Sequence, residues 1–103
     1  MALSEAAGVE QRVARTVVRR ALDRGLLVSV NDGEDWVVKK SSDQRAIEAA
    51  LATTEMDQLR LRLADGTHVG RVWLIWGNGE DLVSETSASE DHEGLVEEVT
   101  RWR

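Results

Sequence analysis

Residues 57–76 alternate apolar and polar side chains and then enter the longest apolar run of the sequence. Leu59, Leu61 and Leu63 alternate with two arginines, which is the period-two pattern of a half-buried strand. Asp65-Gly66 favours a two-residue turn, and the segment after it is rich in residue types that suit strands. The pattern predicts a β-hairpin around which the core forms.

A two-residue turn would give this hairpin a defined register with two different faces. The core face would pair the leucines of the first strand with residues of the second: Leu59 with Val72, Leu61 with Gly70, and Leu63 with His68. The other face would carry Arg60, Arg62, Val69, Arg71, Trp73 and Ile75. A change of one residue in the length of the loop would turn the second strand over.

The segments before the hairpin predict a helix, two strands and a second helix. Apolar residues at helical spacing indicate a helix that begins at Ser4, where the side chain can cap it, and ends at Gly25. An Asn-Asp-Gly turn joins predicted strands at 26–31 and 35–40. Ser41 and Gln44 fit a capping box for a helix over 42–52.

After the hairpin, the sequence predicts one more strand and a last helix. The strand covers 81–86, and the helix begins at Ser87 or Ser89. Its buried stripe would consist of Leu95, Val96, Val99 and Trp102. The whole order, α-β-β-α-β-β-β-α, predicts an α+β fold in one domain over residues 1–103. Tight turns favour a mostly antiparallel sheet of about five strands, with helices at both termini and one between two hairpins.

The net charge of −6 is concentrated in the last quarter of the chain. Residues 1–40 hold seven basic and six acidic groups, whereas residues 77–103 hold two basic and eight acidic groups. The eight acids form a candidate partner-binding patch: Glu80, Asp81, Glu85, Glu90, Asp91, Glu93, Glu97 and Glu98. Such a surface favours basic partners and disfavours nonspecific DNA binding, although solubility alone also explains it.

A second candidate surface is the polar face of the hairpin, formed by Arg60, Arg62, Arg71 and Trp73. Like charges opposite each other on a ladder are unfavourable unless an acidic group covers them. Three interpretations follow: the chain's own acids pair with the arginines, a protein partner binds there, or single-stranded RNA does. The acidic chain favours the first.

The first helix carries Arg12, Arg15 and Arg19 on its polar face. A basic helix can contact phosphate, but pairing with the chain's own acids is the simpler interpretation for an acidic chain. We therefore rank direct nucleic-acid binding below protein binding.

Candidate chemistry is sparse. The chain has no Cys, and neither His68 nor His92 lies in a nucleophile motif. Asp91, His92 and Glu93 would point about 100° apart on a helix, so they cannot share one ion. We expect a protein with no catalytic residues, cofactor or metal. No stretch approaches the roughly 20 apolar residues of a membrane span, and the N-terminus lacks the features of a secretory signal, so a cytoplasmic location is expected.

Two stretches, LVSVNDGEDWVVKK at 27–40 and VWLIWGNGEDLVS at 72–84, carry a resemblance to known sequences. They resemble small proteins encoded by phages and mobile elements of proteobacteria, for which no activity is established. Phage proteins of this size and acidity are often inhibitors of nucleic-acid-handling machinery, of the anti-CRISPR or anti-restriction type. The resemblance implies a host protein or protein–nucleic-acid complex as partner, with the acidic patch imitating DNA locally. The basic first helix departs from a uniformly acidic mimic.

These observations lead to three ranked hypotheses. The first is a non-enzymatic interaction module that inhibits a host complex through its acidic patch. The second is a small homodimeric accessory protein that pairs through an edge strand or through Trp73. The third is a nucleic-acid binder that uses the arginines of the first helix and the sheet.

Overall fold

The computed structural model describes residues 2–101 and has an α+β fold. The helices are α1 (Gly8–Asp23), α2 (Gln44–Ala49) and α3 (Glu93–Thr100). The strands are β1 (Leu27–Asn31), β2 (Trp36–Ser41), β3 (Met56–Arg62), β4 (His68–Ile75) and β5 (Val83–Ala88). Short 3₁₀ helices lie at Leu3–Glu5, Gly79–Asp81 and Glu90–His92. The predicted order of elements is confirmed.

The five strands form one antiparallel sheet in the order β2-β1-β3-β4-β5. The two hairpins of the sequence therefore meet through β1 and β3. α1 packs on β1, α2 on β1 and β2, and α3 on β4 and β5, while α1 also contacts the other two helices. The helices thus lie together on one side, which we call the covered face, and the other side of the sheet is the open face.

The covered face holds the hydrophobic core because strand side chains alternate between the two faces. Val28, Val30, Leu59 and Leu61 are fully buried there, together with the apolar stripe of α1. Their neighbours along the strands, such as Arg60, are half-buried on the open face. The predicted core side of the hairpin is confirmed.

The register of the central hairpin is confirmed in its middle and wrong near its turn. Leu59 pairs with Val72, Leu61 with Gly70, and Arg60 with Arg71, as the sequence predicts. However, His68 pairs with Arg62, and a β-bulge places Val69 in the core with no exposed surface.

The cause of this change is the length of the loop. The amide of Leu63 donates to the carbonyl of Thr67 at 2.9 Å, so the loop has three residues rather than two. Gly66 takes a φ of 92°, which is typical of a three-residue loop that ends in a bulge. Leu63 therefore does not face His68, and Val69 leaves the open face.

The start of the first helix differs from the prediction, whereas its end agrees with it. Ser4 lies in the separate 3₁₀ turn Leu3–Glu5 and does not cap α1, which begins at Gly8. Gly25, with a φ of 75°, follows the helix in the left-handed conformation expected after a helix end.

Asp43, rather than Ser41, caps α2. Its carboxylate accepts hydrogen bonds from the amides of Arg45 and Ala46, which satisfies two donors of the first turn. The last strand and helix also begin slightly later than expected. The predicted contact of Trp102 lies outside the described residues.

The two edge strands carry features that oppose pairing with another chain. β2 contains two bulges against β1, and Lys40 adopts a positive φ of 48° at one of them. β5 consists mainly of Ser, Thr and Glu side chains, which are exposed. Bulges and polar side chains are common protections of sheet edges.

Within residues 2–101, no helix is long and apolar enough to cross a membrane.

Candidate functional site

The open face brings together side chains from β1, β2, β3 and β4 that are far apart in the sequence. One line across the strands runs from Trp36 through Asn31 and Gln58 to Trp73, since each is the ladder partner of the next. We call these four residues the indole row. All four side chains are half-exposed, which leaves the row accessible from the open side.

A second line lies two residues further along the strands. Ser29 pairs with Arg60, and Arg60 pairs with Arg71. The bulge in β2 places Lys40 beside Ser29, whose hydroxyl accepts a hydrogen bond from the Lys40 amide at 2.9 Å. We call Lys40, Arg60 and Arg71 the cationic row. Adjacent rows on one face are about 7 Å apart.

Arg60 and Arg71 face each other without a carboxylate between them. Within residues 2–101 neither guanidinium makes an ion pair, and the Nε of Arg60 is buried without a hydrogen-bond partner. Burial, and then the positive charges of Arg62 and Arg71, lower the pKa of Arg60. An arginine stays charged under such a shift, so the pair presents two uncompensated positive charges to solvent.

His68 extends this face but adds little charge. It is the ladder partner of Arg62, and its Nδ1 is buried without a partner among the described residues. Burial, followed by the charges of Arg60, Arg71 and Arg62, lowers the pKa of His68 below its ordinary value of 6.5. The imidazole is therefore mostly neutral at pH 7.

A shallow depression of about 180 Å³ joins the two rows. It is lined by one indole, one hydroxyl and four cationic side chains: Trp36, Ser29, Lys39, Lys40, Arg60 and Arg62. Arg62 is partly held by a hydrogen bond from its Nη1 to the carbonyl of Gly66 at 2.8 Å. An anionic group with a flat apolar neighbour matches this lining.

Several arginines in and directly after the first helix are engaged with the rest of the protein. Arg15 pairs with Glu48 at 3.1 Å, and Arg24 pairs with Glu98. Arg12 also interacts with neighbouring groups. Pairing with the chain's own acids is thus confirmed for Arg15, whereas Arg19 is exposed and makes no ion pair within the described residues.

The structure distributes the eight predicted acidic residues around the edge strand β5. Glu80 and Asp81 lie before the strand and Glu90 and Asp91 after it, so its length of about 17 Å separates them. Glu85 lies on β5 itself as the ladder partner of Trp73.

The remaining three acids belong to α3. Glu93 is exposed in its first turn, Glu97 pairs with Arg101 at 3.1 Å, and Glu98 pairs with Arg24. Among the described residues, Glu97 and Glu98 are therefore occupied in ion pairs, and Glu80 also interacts with a neighbouring group. The eight acids are spread from the turn before β5, along that strand, to α3.

The Gly-Asn-Gly loop after β4 presents three backbone amides that could bind an anion, but a carboxylate of the protein itself occupies them. The backbone amides of Gly77, Asn78 and Gly79 all donate to one carboxylate oxygen of Glu10, at 2.7, 3.0 and 3.2 Å. Glu10 is almost fully buried. This contact links the start of α1 to the loop after β4, so the Gly-Asn-Gly loop stabilises the fold.

Among residues 2–101, neither histidine has the partners of a catalytic triad. Nδ1 of His92 lies 2.7 Å from the hydroxyl of Ser89, a contact within one turn before α3. A catalytic triad also needs a carboxylate on the other ring nitrogen, and no residue from 2 to 101 makes that hydrogen bond. The same residues contain no group of three or more His, Asp or Glu side chains placed to hold a metal ion.

Sequence reasoning identified Arg60, Arg62, Arg71 and Trp73 but missed Trp36, Asn31 and the two lysines. These belong to the first hairpin, and only the pairing of β1 with β3 brings them beside Arg60. Strand order is a non-local property, so no local pattern in the sequence contained it. The alternation of Asn31 with buried Val30 was the one available signal that Asn31 points away from the core.

Comparison with known proteins finds no matching family model, no matching curated protein and no matching solved structure.

Proposed function

We propose that this protein is a non-enzymatic binding module that holds an anionic partner on the open face of its sheet. The observation that carries the proposal is the pair Arg60 and Arg71, which lie opposite each other, half-buried, with no acidic partner among the described residues. Arginine is one of the residue types most enriched among the hot spots of interfaces.

The distribution of charge supports this choice of partner. The chain as a whole has a net charge of −6, yet Lys39, Lys40, Arg60 and Arg62 converge on one depression. Arg71 adds a fifth cation beside Arg60. An anion placed there would offset the repulsion between these side chains, which is worth about 0.2–1 kcal/mol for an opposed like-charged pair.

Titration calorimetry with inorganic polyphosphate tests the proposal. The double variant Arg60→Gln/Arg71→Gln should lose at least tenfold in affinity at about 50 mM salt, where such contacts are strongest. The matched control Arg19→Gln/Arg45→Gln removes the same charge from the helix side and should bind like the wild type. Equal losses in both variants would show that only net charge matters and would contradict the proposal.

The acidic residues support a second candidate, the inhibitor of a host complex. Glu90, Asp91 and Glu93 are exposed at one end of β5 and make no ion pair within residues 2–101. A basic partner could engage this group without the other five acids. Charge reversal of Glu90 and Asp91 should then weaken capture of a host complex in a pull-down from the native host, and unchanged capture would exclude this candidate.

Self-association is the third candidate and has the least support. The bulged β2 and the polar β5 oppose edge-to-edge pairing. A monomeric mass by light scattering at high protein concentration would exclude a homodimer.

A further inference from the structure

We infer that the anionic partner is a single-stranded nucleic acid, whose bases stack on the indole row while its phosphates lie along the cationic row. This inference rests on the proposed function, because it names the occupant of the same face. It is carried by the indole row, which a purely electrostatic site does not need.

The spacing of the two indoles suits stacked bases. Trp36 and Trp73 stand at the two ends of the row with β1 and β3 between them. Three strand spacings separate them by about 14 Å. Base stacking on aromatic side chains is the main non-electrostatic contact of proteins that bind single strands, and it tolerates any base.

The residues between the indoles offer hydrogen bonds to base edges. Asn31 and Gln58 are half-exposed amides in the middle of the row. The Oδ1 of Asn31 accepts a hydrogen bond from the Gly33 amide at 2.8 Å, which restrains the side chain. Its NH₂ group donates no hydrogen bond within residues 2–101. Unpaired bases present donors and acceptors that such amides can meet.

The cationic row lies on the next line of the sheet, about 7 Å from the indole row. A nucleotide has the same division, with a flat base at one end and a charged phosphate at the other. The depression of about 180 Å³ touches both rows, since Trp36 and Arg60 both line it. One nucleotide can therefore place its base and its phosphate on matching groups.

The same features disfavour the other anionic partners. An acidic protein segment would bind the cationic row, but its carboxylates would make no stacking contact with the tryptophans of the indole row. A duplex hides its bases in the stack, and its long charged surface would meet the acidic remainder of the chain. Glu85, beside Trp73 on the edge strand, limits the site at that end because it repels phosphate.

The test compares four probes on the same protein: single-stranded DNA, single-stranded RNA, the corresponding duplex, and poly-glutamate. We expect the single strands to bind more tightly than the duplex and than poly-glutamate of similar charge. DNA and RNA share the recognised chemistry, and their relative affinity reports whether the 2′-hydroxyl is contacted.

Trp73→Leu and Trp36→Leu separate stacking from charge. Each should weaken oligonucleotide binding about five- to 150-fold, because a base stacked on an aromatic ring contributes about 1–3 kcal/mol. Polyphosphate binding should persist in both variants, which also shows that the face remains folded. Arg60→Gln/Arg71→Gln should lose both ligands.

The outcomes distinguish the two proposals. Suppose that polyphosphate binds through Arg60 and Arg71, but that the affinity for oligonucleotides is unchanged by either tryptophan substitution. The nucleic-acid inference is then wrong, and the anion-binding function stands. Tight poly-glutamate binding without single-strand binding would also overturn the inference and would identify an acidic protein as the partner. If no anion binds, both proposals fall.

Discussion

The two faces of the sheet are built from alternate residues of the same strands, yet they differ in how completely their own chain satisfies them. Leu59 and Leu61 are fully buried under the helices. Arg60, between them, is half-buried beside another arginine and has no ion-pair partner within residues 2–101. Folding explains the covered face, whereas on the open face it leaves two opposed arginines without an acidic partner among the described residues.

The largest effect should come from removing a core side chain of the covered face. Leu61→Ala leaves a cavity in the core beneath the helices and should lower the free energy of unfolding by about 3–4 kcal/mol. Arg60→Ala, one position earlier on the same strand, should change it by less than about 1 kcal/mol. Urea denaturation of both variants measures the difference, and similar losses would contradict the division into two faces.

A somewhat smaller effect is expected where β4 meets α3. A Cβ at Gly70 would collide with the backbone of Ser87 and approach the Val96 side chain to 2.7 Å. Gly70→Ala should therefore cost about 2–3 kcal/mol of stability, because α3 and β5 must shift.

Gly94→Ala is the matched control for this substitution. A Cβ at Gly94 meets nothing within 4 Å, and alanine favours the helix over glycine by about 0.5–1 kcal/mol. Its expected effect is thus stabilising. If both substitutions destabilise equally in urea denaturation, close packing at Gly70 is not the cause.

A buried carboxyl of the covered side should make stability depend on pH. Asp57 is fully buried, and its Oδ2 accepts hydrogen bonds from the Ala52 amide and the Trp76 indole, both at 2.8 Å. Its Oδ1 has no partner among the described residues, and burial raises its pKa above the ordinary value of 3.8. Asp57→Ala should cost about 2 kcal/mol through the two lost hydrogen bonds.

The sign of the pH effect follows from the raised pKa. The folded protein keeps a proton that the unfolded chain releases near pH 3.8, so stability falls as pH rises from there through the folded pKa. Asp57→Asn keeps the accepting oxygen and removes the titration. Urea midpoints measured across that range should show this contribution in the wild type and not in the amide variant.

The smallest effect, with the opposite sign, belongs to the open face. Arg60→Gln/Arg71→Gln removes the repulsion between the two guanidinium groups and should raise the free energy of unfolding by about 0.5 kcal/mol. Arg19→Gln/Arg45→Gln should leave it nearly unchanged. A clear loss of stability in the first variant would mean that the arginines serve the fold and not a ligand.

The sequence allowed the covered face to be predicted much better than the open one. Alternation at Leu59 and Leu61 indicated which side of β3 is buried, and the Asp65-Gly66 pair placed the turn. The pairing of Arg60 with Arg71 followed from these two signals and is confirmed. The extra loop residue that moved Val69 into the core was missed, since a turn dipeptide does not define the loop length.

The rest of the site depended on contacts between distant segments. Trp36 and Lys40 reach Arg60 only through the pairing of β1 with β3. In the same way, no local sequence pattern indicates that the carboxylate of Glu10 binds the backbone amide of Gly77, because the two residues are far apart in the sequence. The sequence also could not show how the eight acids of the candidate patch are distributed over β5, α3 and the turns beside them.

The most direct test measures how much a ligand stabilises the wild type and two double variants. The unfolding free energy is determined by urea denaturation with and without inorganic polyphosphate at about a hundred times its wild-type Kd. The wild type should gain about 2.7 kcal/mol, and Arg19→Gln/Arg45→Gln should gain the same. Arg60→Gln/Arg71→Gln should begin slightly more stable and gain almost nothing. An equal gain in all three proteins would contradict the assignment of the open face as the binding surface.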